Sequence, residues 1–175
     1  MIAALAAALV FLIVLRIRSL RWAIVIAVLF TVASIAWPYS KIGMDNTVML
    51  GVVLTMTGAV YASAEGSAWS WGLAGFGAGM TVAAKAYEAV AVCVILALLA
   101  RPFLAAPRER RPILLLSAAA PIVVWAVAVG WYDWLREGSI FKTGAAAYND
   151  FTLAAPIDAL GFYVSPGKGC CSTRR

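Results

Sequence analysis

Two short polar stretches of the chain pair a lysine with a carboxylate. Lys41 precedes Asp45, which heads an apolar run, and Lys85 precedes Glu88 between two other apolar runs. A carboxylate can accept the proton of a hydroxyl nucleophile, and an ammonium group can neutralise a departing phosphate. Two plainer interpretations stay open. Asp45 is also a good helix N-cap beside an interfacial lysine, and Lys85 with Glu88 is also an ordinary ion pair at helical spacing.

The third polar stretch is the richest, and it comes near the end of the chain. It reads Trp131-Tyr-Asp-Trp-Leu-Arg136-Glu-Gly-Ser-Ile-Phe-Lys-Thr-Gly144, in which glycines bracket a short polar segment. A glycine-rich turn follows at residues 165–169 and contains Lys168. Backbone amides and a lysine in such a turn can hold a phosphate, although a simple turn fits equally well. An aromatic belt at the membrane interface explains the tryptophans of this stretch, but it does not explain the order of its polar residues and glycines.

The elements that position these stretches are long apolar runs. Of 175 residues, 64% are hydrophobic and only 13% are charged, and the charges crowd into short segments between the runs. This pattern is typical of lipid-embedded helices, because an open strand would leave backbone groups unpaired in hydrocarbon. We therefore predict an all-α, polytopic transmembrane bundle with about six spans in residues 1–131, followed by an external loop region at 132–169. The predicted spans lie near residues 1–15, 22–37, 45–64, 68–84, 86–100 and 113–131.

Two arginine-rich loops set the expected orientation. Arginines concentrate near residues 16–21 and 101–111, and the positive-inside rule assigns both loops to the cytoplasm. An even number of crossings must separate them, so the apolar stretch 70–100 has to be two helices. The break is expected at Lys85 to Glu88, because a charged residue at the centre of a span costs about 2.5 to 3.5 kcal/mol on insertion scales. Lys85 and Glu88 are then expected near the outer face.

Composition also excludes several classes of site. The chain has no histidine, and its cysteines and carboxylates do not cluster at ligand spacing, so we expect no zinc site and no Ser-His catalysis. The net charge of +6 does not indicate nucleic-acid binding, because no basic run is interleaved with aromatic residues that could stack on bases. Gly72, Gly75 and Gly79 form a smooth stripe at helical spacing, which indicates close helix packing. Pro121 is expected to kink the last span.

Together these residues resemble bacterial multi-pass glycosyltransferases that use polyprenyl-phosphate sugars, the group related to protein mannosyltransferases and aminoarabinose transferases. The matching pieces are Trp37-Pro-Tyr-Ser-Lys41 with the following acid, Ala84-Lys85 between two helices, the stretch 131–144 and Ser165-Pro-Gly-Lys-Gly169. The resemblance implies transfer of a sugar from a lipid-phosphate carrier to an acceptor at the outer face of the bacterial cytoplasmic membrane. It implies Asp45 as a catalytic or supporting acid, and substrate-binding roles for Lys41, Lys85, Arg136 and Lys168.

The sequence departs from that group at two places. Relatives carry their main catalytic acid in an external loop before the region seen here, and Asn46 stands where they often have proline, so we expect a fragment that is inactive alone. Residues 170–175 read Cys-Cys-Ser-Thr-Arg-Arg, where relatives continue Leu-Leu-Leu-Tyr-Ser-Pro into another span. A GC-rich nucleotide sequence that encodes this continuation also encodes the observed six residues when its reading frame is shifted by one base. We therefore expect a frameshifted tail and no redox role for its cysteines.

A transporter or flippase subunit is the main alternative, and a non-enzymatic membrane scaffold is the third. A transporter predicts ionisable residues near the middle of the membrane and a repeated half, and the sequence shows neither pattern. The expected partners are the lipid bilayer, the lipid-linked sugar donor and an acceptor. The sequence leaves the sugar, the acceptor and any cofactor or metal requirement open.

Overall fold

The computed structural model describes residues 2–32, 43–85 and 88–138, and all regular structure in these ranges is helical. The all-α prediction is therefore confirmed for this part of the chain. The described helices are α1 (Ile2–Ile17), α2 (Leu20–Val32), α3 (Gly43–Glu65), α4 (Ala68–Ala84), α5 (Ala89–Ala97), α6 (Ala100–Ala105) and α7 (Arg111–Glu137).

Helices α1 and α2 form a hairpin that packs against α3 through α1. Apart from Arg16 and Arg21 near their ends, both helices are apolar on all sides, and large side chains such as Leu5, Trp22 and Val28 are exposed. The turn between them contains Arg18, whose backbone N–H donates to the Val14 carbonyl and closes the last turn of α1. A helix that is apolar all round belongs in a larger apolar environment, since it has no polar face to offer water.

The centre of the described fold is the pair α3 and α4. A tight turn joins them, in which Gly66 has a φ of 61°, a left-handed conformation that suits glycine. Ser67 then caps α4, because its hydroxyl accepts a hydrogen bond from the Ser70 backbone N–H at 3.3 Å. With so short a connection the two helices lie antiparallel. Their shared face is lined by small residues, and Thr55 and Thr81 are fully buried in it.

The predicted break in the apolar stretch 70–100 is confirmed. Helix α4 ends at Ala84 with Lys85 as its C-cap, and Glu88 is the N-cap residue of α5. Helix α5 is shorter than the predicted fifth span, because a turn at Leu98 and Leu99 separates it from α6.

Helices α5 and α6 are anchored by an apolar cluster near the turn between α3 and α4. Leu99 is buried there with Ala62 of α3, Trp71 of α4 and Leu114 of α7, and Phe103 packs against them. The Phe103 and Trp71 rings lie 5.9 Å apart between centroids, within the usual range for paired aromatics. The cluster therefore holds four elements together at one end of the fold.

Helix α7 is 27 residues long and runs past the predicted end of the sixth span at residue 131. Its first part packs closely on α4, because Gly75 and Gly79 leave room for Ala118 and Trp125. The glycine stripe is thus confirmed as a packing surface. Pro121 lies within α7 and cannot donate to the Ser117 carbonyl, which instead faces Gly72 of α4.

The described helices only partly meet the expectation of six spans. Two of them are long and apolar enough to cross a membrane, over Asn46–Glu65 and Arg111–Arg136, whereas α1, α2 and the α5–α6 region are shorter apolar segments. Many large apolar side chains of these helices are exposed, Trp69 at 79% among them. The chain divides into two units, Met1–Val129 and Gly130–Arg175.

Candidate functional site

Close contacts between α3 and α4 fix which helix ends meet. A Cβ added to Gly58 would strike the backbone of Ala74, and one added to Gly51 would lie 3.0 Å from the carbonyl oxygen of Gly77. Gly51, in the first half of α3, thus meets Gly77, and Gly58, in the second half, meets the earlier residue Ala74. Because the helices are antiparallel, the beginning of α3 lies beside the end of α4, where Lys85 follows. We call this part of the first unit the lysine end.

The lysine end brings together two of the predicted site residues. Asp45 lies in the first turn of α3, and its side chain is outside the described part of the structure. Lys85 is half-buried one turn after the buried Thr81. Asn46, which follows Asp45, is buried with only 7% of its surface exposed, so this end has a polar interior as well as charges at its edge.

Backbone hydrogen bonds hold Lys85 in place. Its N–H donates to the Thr81 carbonyl at 2.9 Å, and its own carbonyl accepts from the Glu88 N–H at 3.1 Å. The residue adopts an extended conformation, with φ −149° and ψ 105°, which ends α4. These two backbone hydrogen bonds therefore position Lys85 at the end of α4.

The other predicted site residues are not brought to the lysine end by the described structure. Lys41 and Lys168 lie outside the described residues. Arg136 is exposed in the last turn of α7 and belongs to the second unit. The convergence of all five predicted residues at one mouth therefore stays a prediction.

Asp133, a buried carboxylate in the second unit, is absent from the site residues that the sequence predicts. Asp133 is 8% exposed, whereas its neighbours Tyr132 and Trp134 are 58% and 50% exposed. The sequence predicts an external loop from residue 132 onward, and in a loop the spacing of residues does not indicate which side chains share a face. As part of a continuous α7, Asp133 lies about 160° around the helix from Trp131 and about 100° from Trp134, whose exposed rings pair with each other.

Arginines gather at the opposite end of the first unit, which we call the arginine end. Arg16 at the end of α1 forms an ion pair with Glu65 at the end of α3, with 3.4 Å between Nη2 and Oε1. Its guanidinium also lies 5.9 Å from the centroid of the Tyr61 ring, within cation–π range. The second arginine-rich loop lies at this end as well. Leu99 and Phe103, on either side of Arg101, pack in the cluster that contains Ala62 near the end of α3.

Three long stretches of α3, α4 and α7 carry no formal charge. Within residues 46–64, 68–84 and 112–132 there is no Asp, Glu, Lys or Arg. The described residues also contain no group of three or more His, Cys, Asp or Glu side chains that could hold a metal ion. The lysine end and the arginine end lie at opposite ends of α4, whose 17 residues span about 25 Å at 1.5 Å per residue.

Comparison of the chain with known proteins identifies no relative: no family model, no curated protein and no solved structure matches it.

Proposed function

We propose that the chain is a multi-pass protein of the bacterial cytoplasmic membrane. Its exposed apolar helices and its charge-free helix interiors support insertion in lipid, where each central charge would cost about 2.5 to 3.5 kcal/mol. The gathering of both arginine-rich loops at one end supports a cytoplasmic arginine end and an external lysine end. Six crossings of the membrane are part of this proposal.

Within that membrane the chain forms part of a glycosyltransferase that moves a sugar from a polyprenyl-phosphate carrier to an acceptor at the outer face. The observation that carries this proposal is the meeting of the first turn of α3, with Asp45, and the end of α4, with Lys85, at one end of an antiparallel pair. A transferase needs a carboxylate and a cation at the same mouth.

Each residue of the lysine end then has a chemical role. The Asp45 carboxylate acts as a catalytic or supporting acid that assists removal of the proton from the acceptor hydroxyl. The bond between the sugar and the carrier phosphate breaks as the bond between the sugar and the acceptor oxygen forms, with inversion. Lys85, with Lys41, Arg136 and Lys168 as further proposed members, neutralises the polyprenyl phosphate that leaves. The buried Asn46 amide supports this proposal, because a polar interior at a membrane surface is suited to a polar substrate.

The proposal is tested by photocrosslinking the chain in detergent to a polyprenyl-phosphate sugar that carries a photoreactive group. We expect labelling that excess polyprenyl phosphate abolishes and that Lys85→Gln lowers severalfold. Arg18→Gln is the matched control, because it removes one cation from the arginine end and should leave labelling unchanged. Equal labelling of Lys85→Gln and the unsubstituted chain would overturn the assignment of the donor site.

A transporter or flippase subunit is the alternative function. It requires ionisable groups along a path through the membrane, and the charge-free interiors of α3, α4 and the first part of α7 speak against such a path. Reconstituted vesicles distinguish the two functions. Movement of a fluorescent polyprenyl-phosphate analogue between leaflets, lost in Lys85→Gln, would favour the flippase.

A further inference from the structure

An apolar groove opens at the arginine end, between α4, the α5–α6 region and α7. It has a volume of about 300 Å³, and its lining includes Trp71, Leu96, Phe103, Ala119 and Ile122. The size lies at the lower edge of the range for small-ligand sites in proteins. The lining is almost wholly apolar, so its occupant must present hydrocarbon.

A cation stands beside this groove. The Arg111 guanidinium lies 5.9 Å from the centroid of the Phe103 ring, and Phe103 in turn packs on Trp71. Arg111 Nε donates to the Ala106 carbonyl at 3.1 Å, and its Nη2 donates to the Leu104 carbonyl at 2.8 Å. These two bonds hold the guanidinium in one orientation and leave its other N–H groups for an anion.

The surroundings of Arg111 are also basic. Arg101, Arg108 and Arg110 are exposed in α6 and in the turn before α7, and Glu109 is the acid among them. The Arg110 backbone N–H donates to the Pro107 carbonyl, which closes this turn beside the start of α7. Residues 101–111 therefore carry four arginines and one glutamate, so this segment of the chain has net positive charge.

We propose that this groove binds an anionic phospholipid, with one acyl chain in the groove and the phosphate at Arg111 and its neighbouring arginines. An apolar groove next to a fixed guanidinium is suited to a ligand that has a hydrocarbon chain and an anionic headgroup. Anionic lipids of the cytoplasmic leaflet have both parts. The site lies at the end opposite Lys85, so it is separate from the proposed sugar-donor site. It depends on membrane insertion but not on the transferase assignment.

Native mass spectrometry of the full chain tests the proposal. The protein is equilibrated with equal amounts of phosphatidylglycerol and phosphatidylcholine in detergent, and the retained lipids are counted. We expect preferential retention of phosphatidylglycerol. The double substitution of Arg101→Gln and Arg108→Gln should lower that preference, by about fivefold for each arginine near the headgroup. Equal retention of the two lipids would overturn the proposal.

A matched pair of variants tests the groove itself. Ala119 lines this groove, whereas its neighbour Ala120 lines a separate groove on the other side of the contact between α4 and α7. Ala119→Phe should abolish retention of phosphatidylglycerol, and Ala120→Phe should leave it unchanged. The same result for both variants would contradict an acyl chain in this groove. If Ala119→Phe does not give monodisperse protein, the exposed arginine variants decide the outcome.

The source of the anion is tested in the same experiment. Glycerol phosphate, added as a soluble competitor, carries the same phosphate without the hydrocarbon. It should not displace phosphatidylglycerol, because it gains nothing from the apolar groove. Complete displacement by glycerol phosphate would show that the arginines bind a free phosphate ester and would overturn the lipid assignment.

Discussion

Single glycines determine how closely the helices approach each other. Gly75 packs on the backbone of α7, and a Cβ there would strike the carbonyl oxygen of Ala118. Gly72 lies three residues earlier on the same face, but its Cβ would rest 3.6 Å from the Ser117 carbonyl oxygen, an ordinary contact. The stripe of glycines is therefore not uniform, and its members differ in what they tolerate.

The two glycines form a matched pair for measurement. Gly75→Ala should destabilise the protein by about 1 to 3 kcal/mol, the usual cost of overpacking, because backbone cannot rotate out of the way as a side chain can. Gly72→Ala should be neutral within about 0.5 kcal/mol. Thermal unfolding in detergent, followed by circular dichroism, compares them. Equal melting temperatures for the two variants would show that α4 and α7 are not packed as described.

Gly66 offers a second test, because its requirement is conformational and not steric. No atom lies within 4 Å of a Cβ at this position, yet its φ is 61°. Gly66→Ala should cost about 1 kcal/mol from the left-handed strain of an L residue. Gly66→Asn should cost less, since asparagine adopts this conformation more readily. The two melting temperatures should follow that order, and the reverse order would contradict the turn geometry.

The sequence could predict part of this packing. The stripe of Gly72, Gly75 and Gly79 was visible as one face of a helix because its members recur at spacings of three and four. The sequence does not identify Gly51, Gly58 and Gly77 as packing residues. They contact the partner helix only in the pair of α3 and α4, and neither segment alone indicates that the two helices pair.

At the element scale, the break between α4 and α5 was predictable and the extent of α7 was not. The break follows from the length of the apolar stretch and from the cost of burying Lys85 and Glu88. The end of α7 was placed too early because polar residues after residue 131 were read as loop, although the helix continues to Glu137. Polar character marks the edge of an apolar run, but it does not by itself end a helix.

The ion pair between Arg16 and Glu65 links two elements and can be measured by a double-mutant cycle. Both side chains are partly exposed, at 43% and 47%, so solvent screens their attraction. We expect a coupling free energy of no more than about 1 kcal/mol between Arg16→Ala and Glu65→Ala, which decreases as salt is added. Arg18→Ala combined with Glu65→Ala is the control cycle and should show no coupling. Stronger coupling of Arg18 than of Arg16 would mean that α1 and α3 meet in another register.

Charged residues are unevenly distributed along the first unit. The first unit has arginines at one end, Lys85 with the start of α3 at the other, and uncharged helices between them. The sequence predicted this separation from the positive-inside rule, because it depends only on the order of apolar runs and charges. The groove beside Arg111 could not be predicted, because it forms where residues from three segments of the chain pack together.

The same charge distribution predicts which side of a membrane each end faces, and single cysteines can report it. In a background with Cys93, Cys170 and Cys171 replaced, we introduce Arg18→Cys, Arg108→Cys or Glu88→Cys. A membrane-impermeant maleimide added to intact spheroplasts should label only Glu88→Cys. After permeabilisation it should label all three variants.

This result is expected because the proposed topology has an even number of crossings between the two arginine loops and an odd number between Arg18 and Glu88. Arg18 and Arg108 must therefore share one side, and Glu88 must face the other. Labelling of Arg18→Cys and Arg108→Cys from opposite sides would contradict the paired helices α4 and α5. Labelling of Glu88→Cys together with both arginine positions in intact cells would instead contradict membrane insertion, and with it the proposed placement of Lys85 beside an external substrate.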